Sequence, residues 1–451
     1  MSAAAPYDEA YDERGEPRPL YAELLARLGD PGALAARTKA ALRGRGVTFD
    51  AAPDGIFALD PVPRLLDAEE WSGLARGIEQ RLAAMEAFLR DVYGDARIVE
   101  AGVVPGAVVE SSPHFEPSMR GAPVRRWISV AGLDLVRDPE GRFLVLEDQL
   151  RMPSGLAYAV VARETLRELL PVAPPQADHS PVFGELAIAL RDAAPAGIDE
   201  PSAVLLCEGR GASAWWEHER LARELCAPAV TLADLDHRDG RLVAWIDGRT
   251  RAVDVVYHRT DEDRFSGTAL GAALLEPCRN GTLACVNAPG SGLADDKLLH
   301  AYVEEMIRFY LGEEPLLASV ASHPLDEPGV LDRLDELVVK PRGEMGGDGV
   351  MIWRDADAQT RERELERIGR DPSAFVAQEL VTLSVHPTVC AERLESRHVD
   401  LRPYATVDDA GVHLLPGGLS RVALERGSMI VNSGQGGGVK DTWAPSRLRS
   451  A

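Results

Sequence analysis

The stretch 337–353, LVVKPRGEMGGDGVMIW, joins an apolar run, a lysine and a glycine-rich turn. We predict one strand leading into Lys340 and a second strand over 350–353, with the glycine-rich loop 343–349 between them. Such a loop lets backbone N–H groups approach phosphate oxygens, and a preceding lysine supplies a positive charge. The alternative is a glycine hairpin beside a surface lysine. The stretch matches neither a Walker motif nor a dinucleotide fingerprint, which argues against a P-loop or a Rossmann dinucleotide site.

Two further features favour a nucleotide site. The predicted strand 375–379 ends in Gln378 and Glu379, polar groups that could meet an adenine edge and a ribose. A second lysine, Lys297, follows a glycine-containing loop and is predicted to open an amphipathic helix over 295–311. Together with Lys340, these residues indicate a site for a phosphorylated nucleotide.

Acidic and amide side chains are concentrated on two predicted strands joined by a tight turn. Pairing of these strands would bring Asp134 close to Glu147. Glu147, Gln149 and Arg151 alternate, so we expect them to share one strand face. Mg²⁺ prefers oxygen ligands and leaves positions open for phosphates, which makes Asp134, Glu147 and Gln149 candidate metal ligands. A solvated, charged strand edge is the equally weighted alternative.

A third polar group lies near the C-terminus. Arg402 and Arg421, on neighbouring predicted strands, could stabilise a phosphoryl group in transfer. Three consecutive glycines at 436–438 could form a backbone concavity for an anion. The alternative is a glycine-rich surface loop with Arg402 paired to Asp400.

The composition of the chain argues against several classes of protein. A length of 451 residues implies two or three domains. The formal net charge of −23 disfavours non-specific binding to nucleic acid or anionic lipid. We find no apolar run near the ~20 residues of a membrane span, no secretory leader, and no cysteine spacing of a zinc site. We therefore expect a cytoplasmic protein with neither nucleic acid nor membrane as a partner.

Hydrophobic periodicity predicts alternating helices and strands. The predicted helices are 20–28, 71–93, 158–170, 216–225 and 295–311, and the main strands are 133–136, 143–146, 203–207, 252–257 and 282–286. The scattered histidines, including His218, are interpreted as structural. We divide the chain into an N-terminal extension (1–65), a helical and metal-binding segment (66–170), a small α/β domain (171–325) and a nucleotide-binding segment (326–451).

The order of these motifs resembles that of ATP-grasp enzymes: strand and lysine, glycine-rich loop, Gln-Glu, Asp-x-Arg, a later arginine, and an asparagine before a glycine-rich turn. In D-alanine–D-alanine ligase and glutathione synthetase, the metal-binding Asp and Glu-x-Asn come after these elements. Here Asp134, Glu147 and Gln149 come before them. The chain thus resembles the circularly permuted ATP-grasp family related to glutathionylspermidine synthase. Further motifs that carry the resemblance lie at 45–49, 132–138, 146–155, 217–218, 290–297, 310–314 and 440–443.

The resemblance implies an α+β (α/β) fold: a circularly permuted ATP-grasp fold with an additional small Rossmann-like pre-ATP-grasp α/β domain. It also implies a role for each matching residue. Lys297 and Lys340 would hold ATP phosphates under Gly346, Gly347 and Gly349, and Gln378 and Glu379 would line the adenine and ribose site. Asp134, Glu147 and Gln149 would hold Mg²⁺, Arg402 and Arg421 would stabilise the transferring phosphoryl group, and Asn432 would face the acyl-phosphate end. Gln149 stands where the family usually has asparagine.

The implied activity is that of an ATP- and Mg²⁺-dependent carboxylate–amine ligase that forms an amide or peptide-like bond through an acyl phosphate. Its substrates would be a small-molecule or peptide carboxylate and an amine, with a protein partner or a homo-oligomer as further options. The alternatives are a non-catalytic ATP-binding subunit of a larger complex and a small-molecule or peptide kinase.

Overall fold

The computed structural model describes residues 5–52, 54–175, 178–262, 264–343, 349–429, 431 and 437–445. Its helices are α1 (Pro19–Arg27), α2 (Pro31–Gly44), α3 (Ala68–Val92), α4 (Arg97–Glu100), α5 (Gly106–Glu110), α6 (Leu156–Leu169), α7 (Pro181–Ala193), α8 (Trp215–Glu224), α9 (Ala269–Arg279), α10 (Val303–Leu311) and α11 (Ala358–Arg370). Its strands are β1 (Leu59–Leu65), β2 (Val130–Arg137), β3 (Phe143–Gln149), β4 (Ala203–Leu206), β5 (Ala229–Val230), β6 (Leu235–Arg238), β7 (Arg241–Ile246), β8 (Arg249–Ala252), β9 (Val255–His258), β10 (Ala284–Val286), β11 (Ser322–Pro324), β12 (Leu337–Pro341), β13 (Met351–Ile352), β14 (Phe375–Glu379), β15 (Val385–Cys390), β16 (Arg393–His398), β17 (Tyr404–Asp408), β18 (Gly411–Leu414), β19 (Gly417–Val422) and β20 (Gly438–Trp443).

An antiparallel sheet with the strand order β18-β17-β2-β3 carries the predicted metal-binding residues. Asp134 on β2 is the register partner of Glu147 on β3, and Gly132 is the partner of Gln149. The register shifts after Asp134, and a β-bulge leaves Leu146 without a register partner. β17 comes from the far end of the sequence and pairs with β2. The predicted pairing of Asp134 with Glu147 is therefore confirmed.

A second antiparallel sheet, β11-β14-β12-β13, carries the predicted nucleotide-binding strands. Val338 on β12 is opposite Gln378 on β14, and Leu337 is opposite Glu379. Apolar side chains of both strands pack with Trp353 and with Ile368 of α11 in a small core of their own. α11 begins after Asp357, whose carboxylate accepts a hydrogen bond from the Thr360 backbone N–H at 2.8 Å.

A third sheet is parallel, with the order β10-β9-β4-β5. α8 connects β4 to β5 and α9 connects β9 to β10, so the sheet is built from two β–α–β units. A separate antiparallel sheet, β6-β7-β8, lies between them in sequence. This part corresponds to the predicted small α/β unit, and its strand β9 leads into the cavity described below.

A fourth sheet joins the two ends of the described chain. β20 lies between β1, with which it is parallel, and β19, with which it is antiparallel. Arg163 of α6 donates from Nε to Asp441 Oδ2 at 2.6 Å, and both side chains are completely buried. The equally buried Lys440 is paired with Asp60 of β1. Since buried charges need partners, these ion pairs hold β20 in one register.

The long helix α3 supplies much of the main core. Asp67 caps its first turn by accepting a hydrogen bond from the Glu70 backbone N–H at 2.8 Å. The large apolar residues of the predicted helix 71–93 recur at steps of three and four and form a stripe that begins at Trp71, and this stripe is buried. Arg81, on the same helix, is also buried and donates two hydrogen bonds to Asp148 of β3, at 2.7 and 2.8 Å. α3 is thereby attached to the strand that carries Glu147.

The predicted helix over 295–311 is wrong in its first half. Short 3₁₀ turns cover Ser291–Leu293 and Leu299–Tyr302, Lys297 lies in the turn between them, and α10 begins only at Val303. The reason is that Asp295 accepts backbone hydrogen bonds at 2.8 and 3.0 Å from the segment after β3, and Asp296 accepts one from Leu298. Such side-chain contacts compete with helical hydrogen bonding.

Two predicted strands also need correction. The strand predicted over 350–353 is only Met351–Ile352, because the buried Trp353 starts a 3₁₀ turn. The strand predicted over 252–257 is divided between β8 and β9 at Asp254, whose carboxylate accepts from the Ser202 backbone N–H at 2.9 Å. The remaining predicted helices and strands occur within a few residues of their predicted bounds.

None of the helices in the described part of the chain is long and apolar enough to cross a membrane.

Candidate active site

A cavity of about 470 Å³ lies between the β18-β17-β2-β3 sheet, the β11-β14-β12-β13 sheet (called the nucleotide sheet after its predicted role) and the parallel sheet. Eight of the predicted site residues line it: Asp134, Glu147, Gln149, Lys340, Gln378, Glu379, Arg402 and Arg421. Lys297 lines a narrow adjoining cleft together with Glu147, Lys340 and Gln378. The structure therefore brings together residues that are separated by up to about 290 positions in the sequence.

Asp134 lies at the charged middle of the cavity. Arg402 donates from Nε and Nη2 to its two carboxylate oxygens at 2.6 and 2.8 Å, and Arg421 Nη2 donates to Oδ2 at 2.8 Å. Burial raises the pKa of Asp134, but the two guanidinium groups outweigh it, so the pKa is lowered and the group is ionised. The two arginines that were predicted to meet a phosphoryl group thus neutralise a predicted metal ligand.

The alternative pairing of Arg402 with Asp400 is wrong. Asp400 instead accepts from Arg421, at 3.0 Å from its backbone N–H and at 2.8 Å from Nε. Burial raises the pKa of Asp400 above its ordinary value despite this neighbour. Arg421 therefore connects two carboxylates, and its own pKa is raised because Asp134 and Asp400 outweigh the effect of burial.

Glu147 forms the second ion pair of the cavity. Lys340 Nζ donates to Glu147 Oε1 at 2.9 Å, and Gln149 Nε2 donates to Oε2 at 3.3 Å. Burial raises the pKa of Glu147, but the charges of Lys340 and Lys297 outweigh it, so the pKa lies well below its ordinary range. Lys340 is 5% exposed and the Glu147 side chain is 21% exposed, so water reaches this ion pair only from the glutamate side.

The acidic residues fit a divalent cation by their chemistry. Asp134 and Glu147 are ionised register partners, and Gln149 adds an amide two residues further along β3. Mg²⁺ is usually held by one or two carboxylates, with phosphates and water in its other positions. Within the described residues, no three His, Cys, Asp or Glu side chains form a complete metal cage. Asp134, Glu147 and Gln149 therefore suit a cation whose remaining ligands come from a phosphorylated molecule.

One end of the cavity is mainly apolar. Its walls include Leu146, Val338, Val350, Ile352 and several residues after β14, namely Leu380, Val381 and Leu383. A flat, weakly polar ring such as a nucleobase would bury apolar surface there.

Gln378 and Glu379 border this apolar end but already have partners. Gln378 donates from Nε2 to the Leu146 carbonyl at 3.0 Å and to Ser322 Oγ at 3.1 Å. The first of these bonds joins the nucleotide sheet to β3. Glu379 accepts from Arg333 Nη2 at 2.8 Å and from His323 Nε2 at 3.2 Å. The amide nitrogen of Gln378 therefore holds the two sheets together.

Gly349 is the one predicted glycine that the structure describes. It has φ +68°, and a Cβ atom there would lie 2.6 Å from Pro341 Cγ. A side chain would therefore be unfavourable both in its backbone conformation and in its contacts. Gly346, Gly347 and Asn432 lie outside the described residues.

Arg151 does not share a face with Glu147 and Gln149, contrary to the prediction. β3 ends at Gln149, and Arg151 turns toward Asp295, with Nε 3.3 Å from Oδ2. It lines a separate cavity of about 70 Å³ that also contains His114. Side chains alternate between the two faces only within a strand, and β3 ends before Arg151, which explains why the predicted position of Arg151 is wrong.

The far end of the large cavity contains residues to which the sequence analysis gave no role in the site. They are Phe49, Phe57, Ser154, Gly155, Tyr158, His218, Arg259, Thr260, Asp261 and Tyr404. Phe49, Ser154 and Gly155 nevertheless lie in motifs that carry the family resemblance. A signal existed for Arg259, since ligands commonly bind beyond the carboxyl ends of parallel strands and Arg259 directly follows β9. His218 lies in a motif of the family resemblance but was interpreted as structural.

Comparison with known proteins gives relatives over the whole chain. An uncharacterised protein of Synechocystis is 40% identical over 97% of this chain and 96% of its own length. An uncharacterised protein of Mycobacterium tuberculosis is 39% identical over 99% of this chain and 85% of its own. A Frankia alni protein named as a putative glutamate–cysteine ligase 2-3 is 43% identical over 98% of this chain, which spans 54% of that protein.

Among solved structures, a glutathione synthetase-like effector from Globodera pallida has the same fold, with a TM-score of 0.59 at 11% identity, over 92% of this chain and 98% of the effector. The predicted α+β ATP-grasp fold is confirmed by this likeness and by a family match. The model of that family covers residues 63–423, which include the strands predicted to bind metal and nucleotide. The chain belongs to the circularly permuted ATP-grasp type 2 family.

Proposed function

We propose that this chain is an ADP-forming carboxylate–amine ligase that uses ATP and Mg²⁺ and proceeds through an acyl phosphate. The observation that carries the proposal is that one cavity combines apolar walls, the acidic pair Asp134 and Glu147, and the basic side chains of Lys340, Arg402 and Arg421, with Lys297 in an adjoining cleft. An adenine, a metal-bound triphosphate and a carboxylate need groups of these kinds. Membership of the ATP-grasp ligase family supports the same reaction class.

Each predicted residue keeps its proposed role in this reaction. The phosphates would be held by Lys297, Lys340 and the glycine loop with Gly346, Gly347 and Gly349, and the base and ribose by the slot beside Gln378 and Glu379. Mg²⁺ would be held by Asp134, Glu147 and Gln149, and when bound it would neutralise phosphate charge. Arg402, Arg421 and Asn432 would surround the reacting carboxylate.

The proposed chemistry has two steps. A substrate carboxylate oxygen attacks the γ-phosphorus of ATP, the bond to the β,γ-bridging oxygen breaks, and ADP leaves. An amine then attacks the acyl carbon, the carbon–oxygen bond to phosphate breaks, and the amine loses a proton as the amide forms. Arg402 and Arg421 would stabilise the charge that develops on the phosphoryl oxygens.

The ion pairs of the cavity suggest how ligand binding is accommodated. Asp134 is now neutralised by Arg402 and Arg421, and Glu147 by Lys340. If a cation binds the carboxylates while phosphate oxygens bind the basic groups, each charge exchanges one partner for another of the same sign. No charge is then left buried and unpaired, which would otherwise be strongly unfavourable.

The test is ADP release that depends on a carboxylate and Mg²⁺. Lys340→Ala and Glu147→Ala should each reduce it by about 10²-fold or more, as expected for loss of a group that stabilises charge in the transition state. Lys39→Ala is the matched control, because Lys39 is an exposed residue of α2 paired with Asp54. The glutamate and cysteine named for the Frankia protein belong among the acids and amines tested. Equal ADP release by all four proteins would refute the residue roles.

A second candidate is a nucleotide-binding unit that requires another domain or subunit. The Frankia protein is nearly twice as long as the region it shares with this chain, which motivates this alternative. ATP binding without turnover across acids and amines would favour it. A stable phosphorylated product without an amide would instead identify a kinase.

A further inference from the structure

The far end of the large cavity contains a buried arginine with an unused donor. Arg259 donates from Nη1 to the Pro153 carbonyl at 2.6 Å and from Nη2 to Glu217 Oε2 at 3.0 Å. Its side chain is 3% exposed. Within the part of the chain that the structure describes, its Nε–H has no hydrogen-bond acceptor. A buried donor without an acceptor is a candidate contact for a ligand when its side chain also lines a cavity, as that of Arg259 does.

The carboxylate that pairs with Arg259 is shared with the N-terminus of a helix. Glu217 also accepts hydrogen bonds from the backbone N–H groups of Gly155, at 2.9 and 3.1 Å, and of Ala157, at 3.0 Å. These groups belong to the N-terminus of α6, whose dipole itself favours a negative charge. Because the Glu217 carboxylate interacts with both the N-terminus of α6 and the Arg259 guanidinium group, we infer that Arg259 can accept a further anionic partner.

A second polar atom and an aromatic wall lie at the same end. His218 Nδ1 is buried and has no partner among the described residues. Burial lowers the pKa of His218 to about 3, so the ring is neutral near pH 7 and can hydrogen-bond without adding charge. Tyr158 stacks on Phe57 with ring centroids 4.4 Å apart and meets Phe49 edge-on at 5.8 Å. A short hydrocarbon chain would bury apolar surface against these rings.

The segment 153–155 has contacts with both this end and the charged middle. Arg259 binds the Pro153 carbonyl, while Tyr404 donates from its hydroxyl to the Ser154 carbonyl at 2.9 Å. On the other side, a Cβ on Gly132 would lie 3.1 Å from Pro153 Cβ and 3.5 Å from Arg402 Cδ. Arg259 and Arg402 thus lie on two sides of the same short segment, and both line the cavity.

We propose that the acid substrate carries a second carboxylate, which accepts a hydrogen bond from Arg259 Nε while the first carboxylate lies beside Arg402 and Arg421. The substrate class is therefore a short dicarboxylic acid, whose carbon chain contacts Tyr158 and Phe57. This proposal rests on the proposed ligase function for the reaction at the first carboxylate. Asp261, exposed on the lining of the same end, disfavours acids with still more negative charge.

The experiment uses the full chain with matched acids: succinate and butyrate, glutarate and pentanoate, glutamate and norvaline. Binding is measured by calorimetry with Mg²⁺ and a non-hydrolysable ATP analogue, and turnover by ADP release with hydroxylamine as the amine. Arg259→Lys keeps a positive charge for Glu217 but removes the Nε–H. Arg238→Lys, at an exposed arginine of β6, is the control.

At least one diacid should bind about tenfold or more tightly than its matched monoacid, and Arg259→Lys should remove that preference while nucleotide affinity is unchanged. Diacid binding that Arg259→Lys weakens, without ADP release from any acid, would support the subsite and count against the ligase. ADP release with monoacids and diacids alike, unaffected by Arg259→Lys, would support the ligase and overturn the subsite. Absence of binding by every diacid at millimolar concentration would also overturn it.

Discussion

Two adjacent acidic residues of β3, Glu147 and Asp148, have different surroundings. Glu147 points into the cavity, whereas Asp148 lies on the opposite strand face and is held by Arg81 and by His300 Nδ1 at 2.9 Å. Adjacent acidic residues on a strand therefore divide into one for the site and one for the core. Sequence spacing alone does not reveal which of the two carries chemistry.

At the residue scale we predict a pH-dependent contribution of Asp148 to stability. Burial raises its pKa, but Arg81 and His300 outweigh it and lower the pKa from 3.8 to about 2. A carboxyl group whose pKa is lower in the folded state than in the unfolded state stabilises the folded protein at pH values above the unfolded-state pKa. This stabilisation is lost as the pH falls from about 4 toward 2. The difference in unfolding free energy between the native protein and Asp148→Asn should shrink by about 2 kcal/mol over that range. Urea unfolding at a series of pH values measures it, and a constant difference would contradict the prediction.

At the element scale, the turn between β12 and β13 depends on Gly349. Ala at this position would have to adopt φ +68° with its methyl group 2.6 Å from Pro341. We expect Gly349→Ala to destabilise the protein by about 1–2 kcal/mol and to weaken ATP binding. Denaturant unfolding and calorimetric titration with ATP provide the two measurements.

Gly369, in α11, is the matched control for that substitution. No atom lies within 4 Å of a Cβ built there, and its helical backbone suits alanine. Gly369→Ala should therefore stabilise the protein by about 0.5–1 kcal/mol without changing ATP affinity. Equal effects of the two substitutions would show that the turn places no special demand on Gly349.

Elements formed by neighbouring parts of the sequence were the most predictable. β2, β3 and their register follow from alternation and a tight turn, and α3 from its apolar stripe. The start of α10 was missed because Asp295 and Asp296 bond to residues far away in sequence. Arg259 was missed although it follows a predicted strand, because which strand ends meet at a site depends on the order of the parallel strands, and one sequence does not show that order.

At the scale of the whole molecule, buried ion pairs hold distant segments together. The Arg163–Asp441 pair joins α6 to β20 across 278 residues. The proposed division at 325/326 stays a prediction, although β11, on its N-terminal side, pairs with β14 of the nucleotide sheet. Local sequence patterns do not predict charge pairs of this kind. That Arg402 and Arg421 lie close to Asp134 could be inferred only from the order of motifs in the family.

We predict strong coupling between Arg163 and Asp441. Arg163→Met should destabilise the protein by about 3–5 kcal/mol, because Asp441 would be left as a buried unpaired charge. The double variant Arg163→Met/Asp441→Leu should recover a large part of this loss. A double-mutant cycle by denaturant unfolding measures the coupling, and additive effects of the two substitutions would contradict it.

The contacts at Asp134 have a consequence for the order of folding. Its hydrogen bonds to Arg402 and Arg421 span 268 and 287 residues, whereas β2 and β3 meet across a short turn. Loop closure favours the hairpin first, so we expect the two carboxylates to come together in water before their arginines arrive. On this expectation the acidic groups of the site assemble early in folding and the basic groups late. An incompletely folded molecule would carry the cation-binding groups of an ATP site without the groups that hold phosphate.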